Sequence, residues 1–361
     1  MNMKTIKKAA LLAFAIPLFL TSCSDDDNNN NGGNVSGEYA NGVFILNEGK
    51  FMSTETAEVS FLSENGVLEN DIFYGVNQSY LGDTAQSIGL EGDRAYIVVN
   101  NSNAIKVVNR YTFELITTIT TNIESPRYIV FENGKGYVSN LGNPGDASDD
   151  FIAVIDLHSN QVTATIPVVE GPEKMVEENG KLYVAHKGGW GVGNTISVID
   201  LSSNTVTATI AVADVPDGIE EEDGYLYVLC SGFASWSAEV PSTQGGIYKI
   251  DLSNNQIVSQ ISFAEGTYPT HLEIENNKMY YTIGGEVYAM DLSANALPTQ
   301  AILSLNGVYN IYGFEVEDGK IYISDPKDYN SNGEIFIYST SGNLINSYEV
   351  GIAPNGFYFN D

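Results

Sequence analysis

One short text recurs seven times along the chain. An aromatic residue followed by a strand-forming run stands at Phe44 (FILN), Tyr96 (YIVVN), Tyr137 (YVSN), Tyr183 (YVAH), Tyr227 (YVLC), Tyr280 (YYTI) and Tyr322 (YISD). The copies lie 41 to 53 residues apart. That is the period of a four-stranded propeller blade, not of ankyrin, tetratricopeptide or leucine-rich repeats. Each copy continues into a second apolar run such as Ile152 to Asp156 (IAVID), Ile196 to Asp200 (ISVID) or Val287 to Asp291 (VYAMD). A polar turn such as Leu201 to Asn204 then leads to a Thr-rich run such as Val206 to Ile210 (VTATI), suited to a half-exposed outer strand. The next copy opens after Pro126, Pro172, Pro216 or Pro269, and Asn133-Gly134, Asn179-Gly180, Asp223-Gly224 or Asp318-Gly319 precedes its aromatic. Such pairs are strong two-residue hairpin signals. The unit therefore reads strand A, turn, strand B, loop, strand C, turn, strand D.

The two ends of the repeat region complement each other. The first copy supplies B, C and D strands from about Val43 to Phe73 but no A strand, while Pro354 to Phe359 (PNGFYF) is an A strand without a blade. An open propeller would expose a long edge. The predicted fold is all-β: one seven-bladed β-propeller over 39–361, closed by pairing of the C-terminal strand into the first blade.

Residues 1–38 read as an address and a tether. Lys4, Lys7 and Lys8 precede an apolar run from Ala9 to Leu20 that is too short to cross a bilayer and has the form of a secretory signal over 1–22. The run ends in Leu20-Thr21-Ser22-Cys23, which resembles a bacterial lipobox and makes Cys23 the expected lipidated residue. Residues 23–38 then form a flexible acidic and Asn-rich spacer, Asp25 to Asp27 followed by Asn28 to Asn31. Charge narrows the partners. With 16 Lys and Arg against 46 Asp and Glu, a formal charge of -30, the chain lacks the clustered cations that nucleic-acid binding relies on. Only Cys23 and Cys230 occur, so no disulfide framework holds the fold.

The blade text resembles the YVTN, or YncE-like, seven-bladed propellers over roughly residues 40–360. More specifically, Phe44 to Gly49, Leu81 to Ser87, Ser125 to Tyr128, Asp325 to Tyr329 and Val350 to Phe357 resemble the surface propeller lipoproteins of Bacteroidetes. The acidic patch behind Cys23 is similar to their export tag to the outer leaflet of the outer membrane. The resemblance implies a cell-surface protein that binds vitamin B12 or a related corrinoid and passes it to a TonB-dependent outer-membrane transporter, which it caps.

Blade geometry sends the B to C loops and the D to A connections to one face, around the axis. Residues that close a B strand, or follow the Pro that opens a blade, are the expected ligand contacts: Asn47, Gln86, Asn101, Arg127, Asn140, Lys174, His186, Asp217, His271, Tyr312, Asp328 and Tyr329. Trp190 and Trp236 join them because each sits in an irregular Gly- or Ser-rich loop, where an aromatic suits a large planar ligand or a protein rim. Catalysis has little support. The three His are His158, His186 and His271, and no G-x-S-x-G or H-E-x-x-H occurs. Asp328-x-Asn330-x-Asn332-Gly333 matches half of a calcium loop, with Ser339 where the ligating Glu belongs. The expectation is a non-enzymatic capture protein with no cofactor and no metal. The alternatives are a propeller for protein interaction or adhesion and, more remotely, a lactonase or quinoprotein-like enzyme.

Overall fold

The computed structural model describes residues 37–360 except Pro144, Trp190, Gly191, Ala238, Asn306, Tyr309 and Asn310. The signal segment, Cys23 and Trp190 therefore lie outside the described residues. Seven four-stranded antiparallel sheets form the blades of a propeller, and within each the strands pair in the order A, B, C, D. The inner A strands are Pro354–Asn360 in blade 1, then Ala85–Glu91, Pro126–Glu132, Pro172–Glu178, Pro216–Glu222, Thr270–Glu275 and Phe314–Glu317 in blades 2 to 7. Each inner strand touches those of the two neighbouring blades, closing a ring around the axis.

The sequence imposes this arrangement locally. At the A to B hairpins Asn133 and Gly134, Asn179 and Gly180, Asp223 and Gly224, and Asp318 and Gly319 all take positive φ, between 49° and 79°. Both central residues of a type I′ turn need that conformation, and its twist matches the flanking strands. Closure is as expected: Pro354–Asn360 pairs antiparallel with Gly42–Asn47, placing Val43 opposite Phe359 and Ile45 opposite Phe357.

The repeat aromatic is the keystone of each interface between blades. Seven apolar cores occur, one between each pair of neighbouring blades, and each contains one copy: Phe44, Tyr96, Tyr137, Tyr183, Tyr227, Tyr280 and Tyr322. A blade thus buries its faces only against its neighbours. The outer strands remain half-exposed, as their Thr-rich text requires.

One segment differs from the sequence expectation. Blade 1 has a D strand of only Leu68–Glu69, and a short helix, Ile72–Asn77, replaces the strand expected up to Phe73. Ile72 and Phe73 are completely buried in the core between blades 1 and 2. There Phe73 meets Phe113 edge to face at 6.4 Å. A strand would alternate these adjacent side chains to opposite faces, whereas the helical turn sends both inward.

Candidate functional site

The chain enters the axial channel through the same local device in most blades. The residue before the inner strand is left-handed in five of them: Thr84 (φ 61°), Ser125 (47°), Gly171 (74°), Val215 (57°) and Ala353 (53°). Each of their carbonyls accepts a backbone hydrogen bond from the residue just past the end of a B strand, as in Lys187 N to Gly171 O at 2.9 Å and Glu48 N to Ala353 O at 2.9 Å. Val215 is β-branched, so this conformation is strained there. One residue later the pairing slips. Each of the first six inner strands, counted from blade 1, carries one extra residue against its B strand. Such bulges re-aim a side chain, and here they present Asn355, Gln86, Arg127, Glu173, Asp217 and His271 at the channel mouth. In blade 7 the turn residue Tyr312 takes this place, with its N donating to Ser324 O at 3.1 Å.

These side chains line a cavity of about 710 Å³, within the range of pockets that hold small molecules, about 300–1,000 Å³. The mouth is a chain of matched charges. Arg127 Nε donates to both carboxylate oxygens of Glu173, at 3.1 and 3.0 Å, and Arg127 Nη1 donates to Gln86 Oε1. Lys187 Nζ meets Asp217 Oδ1 at 2.5 Å, and Asp217 Oδ2 accepts the His271 backbone N–H at 2.9 Å. The Tyr312 hydroxyl donates to Glu48. Burial works against the Asp217 charge, but Lys187 and the His271 backbone N–H outweigh it and hold that carboxyl below the usual range. Burial brings His271 down to about 4, leaving it neutral at physiological pH.

Deeper in the channel the seven blades diverge. The inner-strand residue directly opposite the repeat aromatic is Tyr358, Gly89, Val130, Val176, Glu220, Glu273 and Glu315 in blades 1 to 7. Three consecutive blades thus offer glutamates at one level, and the facing blades offer Val130, Val176, Gly89 and Tyr358. Burial and mutual repulsion raise the pKa values of Glu220 and Glu273, burial raises that of Glu315, and the Glu273 and Glu315 carboxyls share a hydrogen bond. Lys174, also on the cavity wall, is held protonated against the cost of its burial by Glu273 and its neighbours.

Six residues singled out in the sequence line the cavity: Gln86, Arg127, Lys174, Asp217, His271 and Tyr312. Others lie apart from it. Asn47, Asn140 and His186 end B strands as expected but point between sheets. Asn47 Nδ2 donates to Ser60 Oγ at 2.9 Å, Asn140 Nδ2 to Val138 O at 2.8 Å, and His186 Nε2 meets Ser197 Oγ at 2.9 Å. Asn101 is exposed beside Asp83. Asp328 Oδ1 accepts the backbone N–H groups of Asn330 and Ser331 at 3.0 and 2.7 Å, so the partial calcium motif closes an ordinary Asx turn. Tyr329 packs edge to face on Tyr312 at 5.1 Å. Trp236 is 86% exposed and leans on Phe233. Sequence reasoning missed Glu220, Glu273, Glu315 and Tyr358. The signal was available as the register position across from the repeat aromatic, counted back through the hairpin.

Comparisons with known proteins agree with the fold. A protein of unknown function from Desulfotomaculum acetoxidans matches with a TM-score of 0.65 at 12% identity, over 88% of this chain and 98% of that one. A quinonprotein alcohol dehydrogenase-like protein from Bacteroides thetaiotaomicron gives 0.64 at 14% identity, over 90% and 79%. Apo AztD from Citrobacter koseri gives 0.54 at 13%, over 88% and 96%. At these identities the likeness is one of fold. No curated protein sequence matches the chain. A family profile, described as a domain of unknown function (DUF5074), matches residues 41–360.

Proposed function

The chain belongs to the DUF5074 family, whose description carries no activity, and we propose from its own channel that it is a non-enzymatic binding protein which captures a small-molecule nutrient at the propeller axis. The observation that carries this is the mouth itself: bulged positions in successive blades converge polar and charged side chains on one cavity of about 710 Å³.

The leading ligand is a corrinoid of the vitamin B12 type. Four of the five segments that carry the resemblance to corrinoid-binding surface lipoproteins also supply cavity wall, through Glu48, Gln86, Arg127, Tyr128, Asn355 and Phe357. A corrin macrocycle is too large to enter whole. It would lie across the mouth and send one polar arm inward. In this reading Cys23 carries a lipid anchor, the protein faces the cell exterior from the outer membrane, and an outer-membrane transporter receives the cargo.

A second reading, a surface for another macromolecule, is favoured by the distribution of apolar side chains. Among the described residues the exposed aromatics Phe51, Trp236 and Tyr329 lie on B to C loops of the mouth face, and Tyr80 lies on the D to A connection between blades 1 and 2. Exposed aromatics on the loops of one face suit protein docking. Titrating cyanocobalamin into the compact unit Ser36–Asp361 by calorimetry separates the two. Saturable one-to-one binding supports capture, whereas no binding of cobalamin or its precursors discards the corrinoid. The anchor is tested by fractionation: a Cys23→Ala chain that still partitions with membranes would refute it.

A further inference from the structure

The channel floor carries groups of opposite sign that make no ion pair with one another among the described residues. Lys174, on the bulged inner strand of blade 4, lines the cavity and makes no hydrogen bond or ion pair among the described residues. An enclosed ammonium without an acceptor is costly. Across from it stands the ledge of Glu220, Glu273 and Glu315. Glu273 is only 8% exposed, and its one hydrogen-bonding partner is another carboxyl.

Glu273 and Glu220 act on Lys174 through space and help to keep it charged. No ion pair within 4 Å joins it to any of the three acids among the described residues, and all four side chains line the same cavity. The other charged or titratable groups near the ledge and Lys174 are Tyr128 of blade 3, Tyr358 of blade 1, His271, and Asp217 and Glu222 on the strand of Glu220. Lys187, also on the cavity wall, is paired with Asp217 and not with the ledge. Burial and crowding raise the carboxyl pKa values, and an entering cation would displace the protons they retain.

We propose that this floor is a bipolar subsite for a small zwitterion, a molecule bearing an ammonium and a carboxylate such as an amino acid or a short peptide. The ammonium sits on the ledge formed by Glu273, Glu315 and Glu220, and the carboxylate meets Lys174 Nζ. A pure anion would face three acids, and a pure cation would leave Lys174 unmatched. Only a ligand of both signs pairs with both. Val130 and Val176 on the facing blades, with Met175, add apolar surface, which strengthens both contacts. The inference rests on the reading of the channel as a ligand site, but not on the corrinoid.

The test is a calorimetric titration of the Ser36–Asp361 unit with a ladder of zwitterions from glycine through γ-aminobutyrate to trialanine. At least one rung should bind one to one. Acetylating its amine or amidating its carboxylate should each weaken binding at least tenfold. Lys174→Met should weaken the free ligand at least tenfold but leave the amidated one unchanged, and Glu273→Gln should do the same for the free and acetylated forms. No binding anywhere on the ladder, or equal binding of capped and free forms, overturns the proposal. If a variant fails to fold, the capped ligands on the parent chain decide alone. Cyanocobalamin binding without ladder binding would sink this inference and leave the capture reading standing; the reverse would remove only the corrinoid.

Discussion

Arg127 shows how a single residue at the channel mouth ties charge to stability. Its guanidinium is mostly enclosed, and Glu173 outweighs the burial penalty and keeps it charged. Replacing Arg127 with Met strands a buried Glu173 carboxylate, and we expect a loss of about 3 kcal/mol in denaturant unfolding. The double variant Arg127→Met with Glu173→Gln should recover most of it; a double variant as unstable as the single one would show that packing, not charge, is at stake. Glu58 brings proton linkage into the ordinary pH range. It is wedged where a Cβ on Gly351 would lie 2.1 Å from its Oε1, and burial, with Asp71 nearby, raises its pKa to about 7. A carboxyl whose folded pKa is raised stabilises the fold below its unfolded value of 4.5, and that contribution is lost as pH rises through 7. Thermal unfolding should therefore show Glu58→Gln gaining up to about 3 kcal/mol over the parent at pH 8 and nothing at pH 4. Equal differences at both pH values would refute the linkage.

At the scale of elements, the blades were legible because one residue type marks the register. An aromatic buried between neighbouring blades must recur whenever a blade does, and the Asn-Gly and Asp-Gly turns before it fix strand order. The helix Ile72–Asn77 was not legible. Six residues give too little periodicity, and only contact with Phe113, far along the chain, makes the turn worthwhile. The site was half legible for a related reason. A Pro before a bulge announces Arg127 and Asp217, whereas Glu220 reads as one of several acids before a hairpin until the strand is paired. His186 and Asn140 misled because the end of a B strand points between sheets, while the start of an A strand points at the axis. The closing strand provides the sharpest element-level test. Truncation after Ile352 removes every partner of Gly42–Asn47 on the axial side, so the cooperative calorimetric transition should disappear; a truncated chain that melts as the parent does would refute closure as the source of stability.

Across the ring, seven interfaces of one kind share the burden of stability, so the axis can carry what a core could not: strained entries, buried acids and a lysine without a direct ion pair. The ring tolerates this because no single blade depends on the channel for its apolar contacts. Its closing pair also joins residues more than three hundred positions apart, and such a loop is expensive to close before neighbouring blades exist. During synthesis Gly42–Asn47 emerges early and must wait, edge unpaired, until Pro354–Asn360 follows. Asn355 and Tyr358 arrive on that same segment and complete the channel wall. A nascent chain thus lacks part of the channel wall until its ring is shut, and the order of translation makes the proposed ligand site the last part of the ring to form.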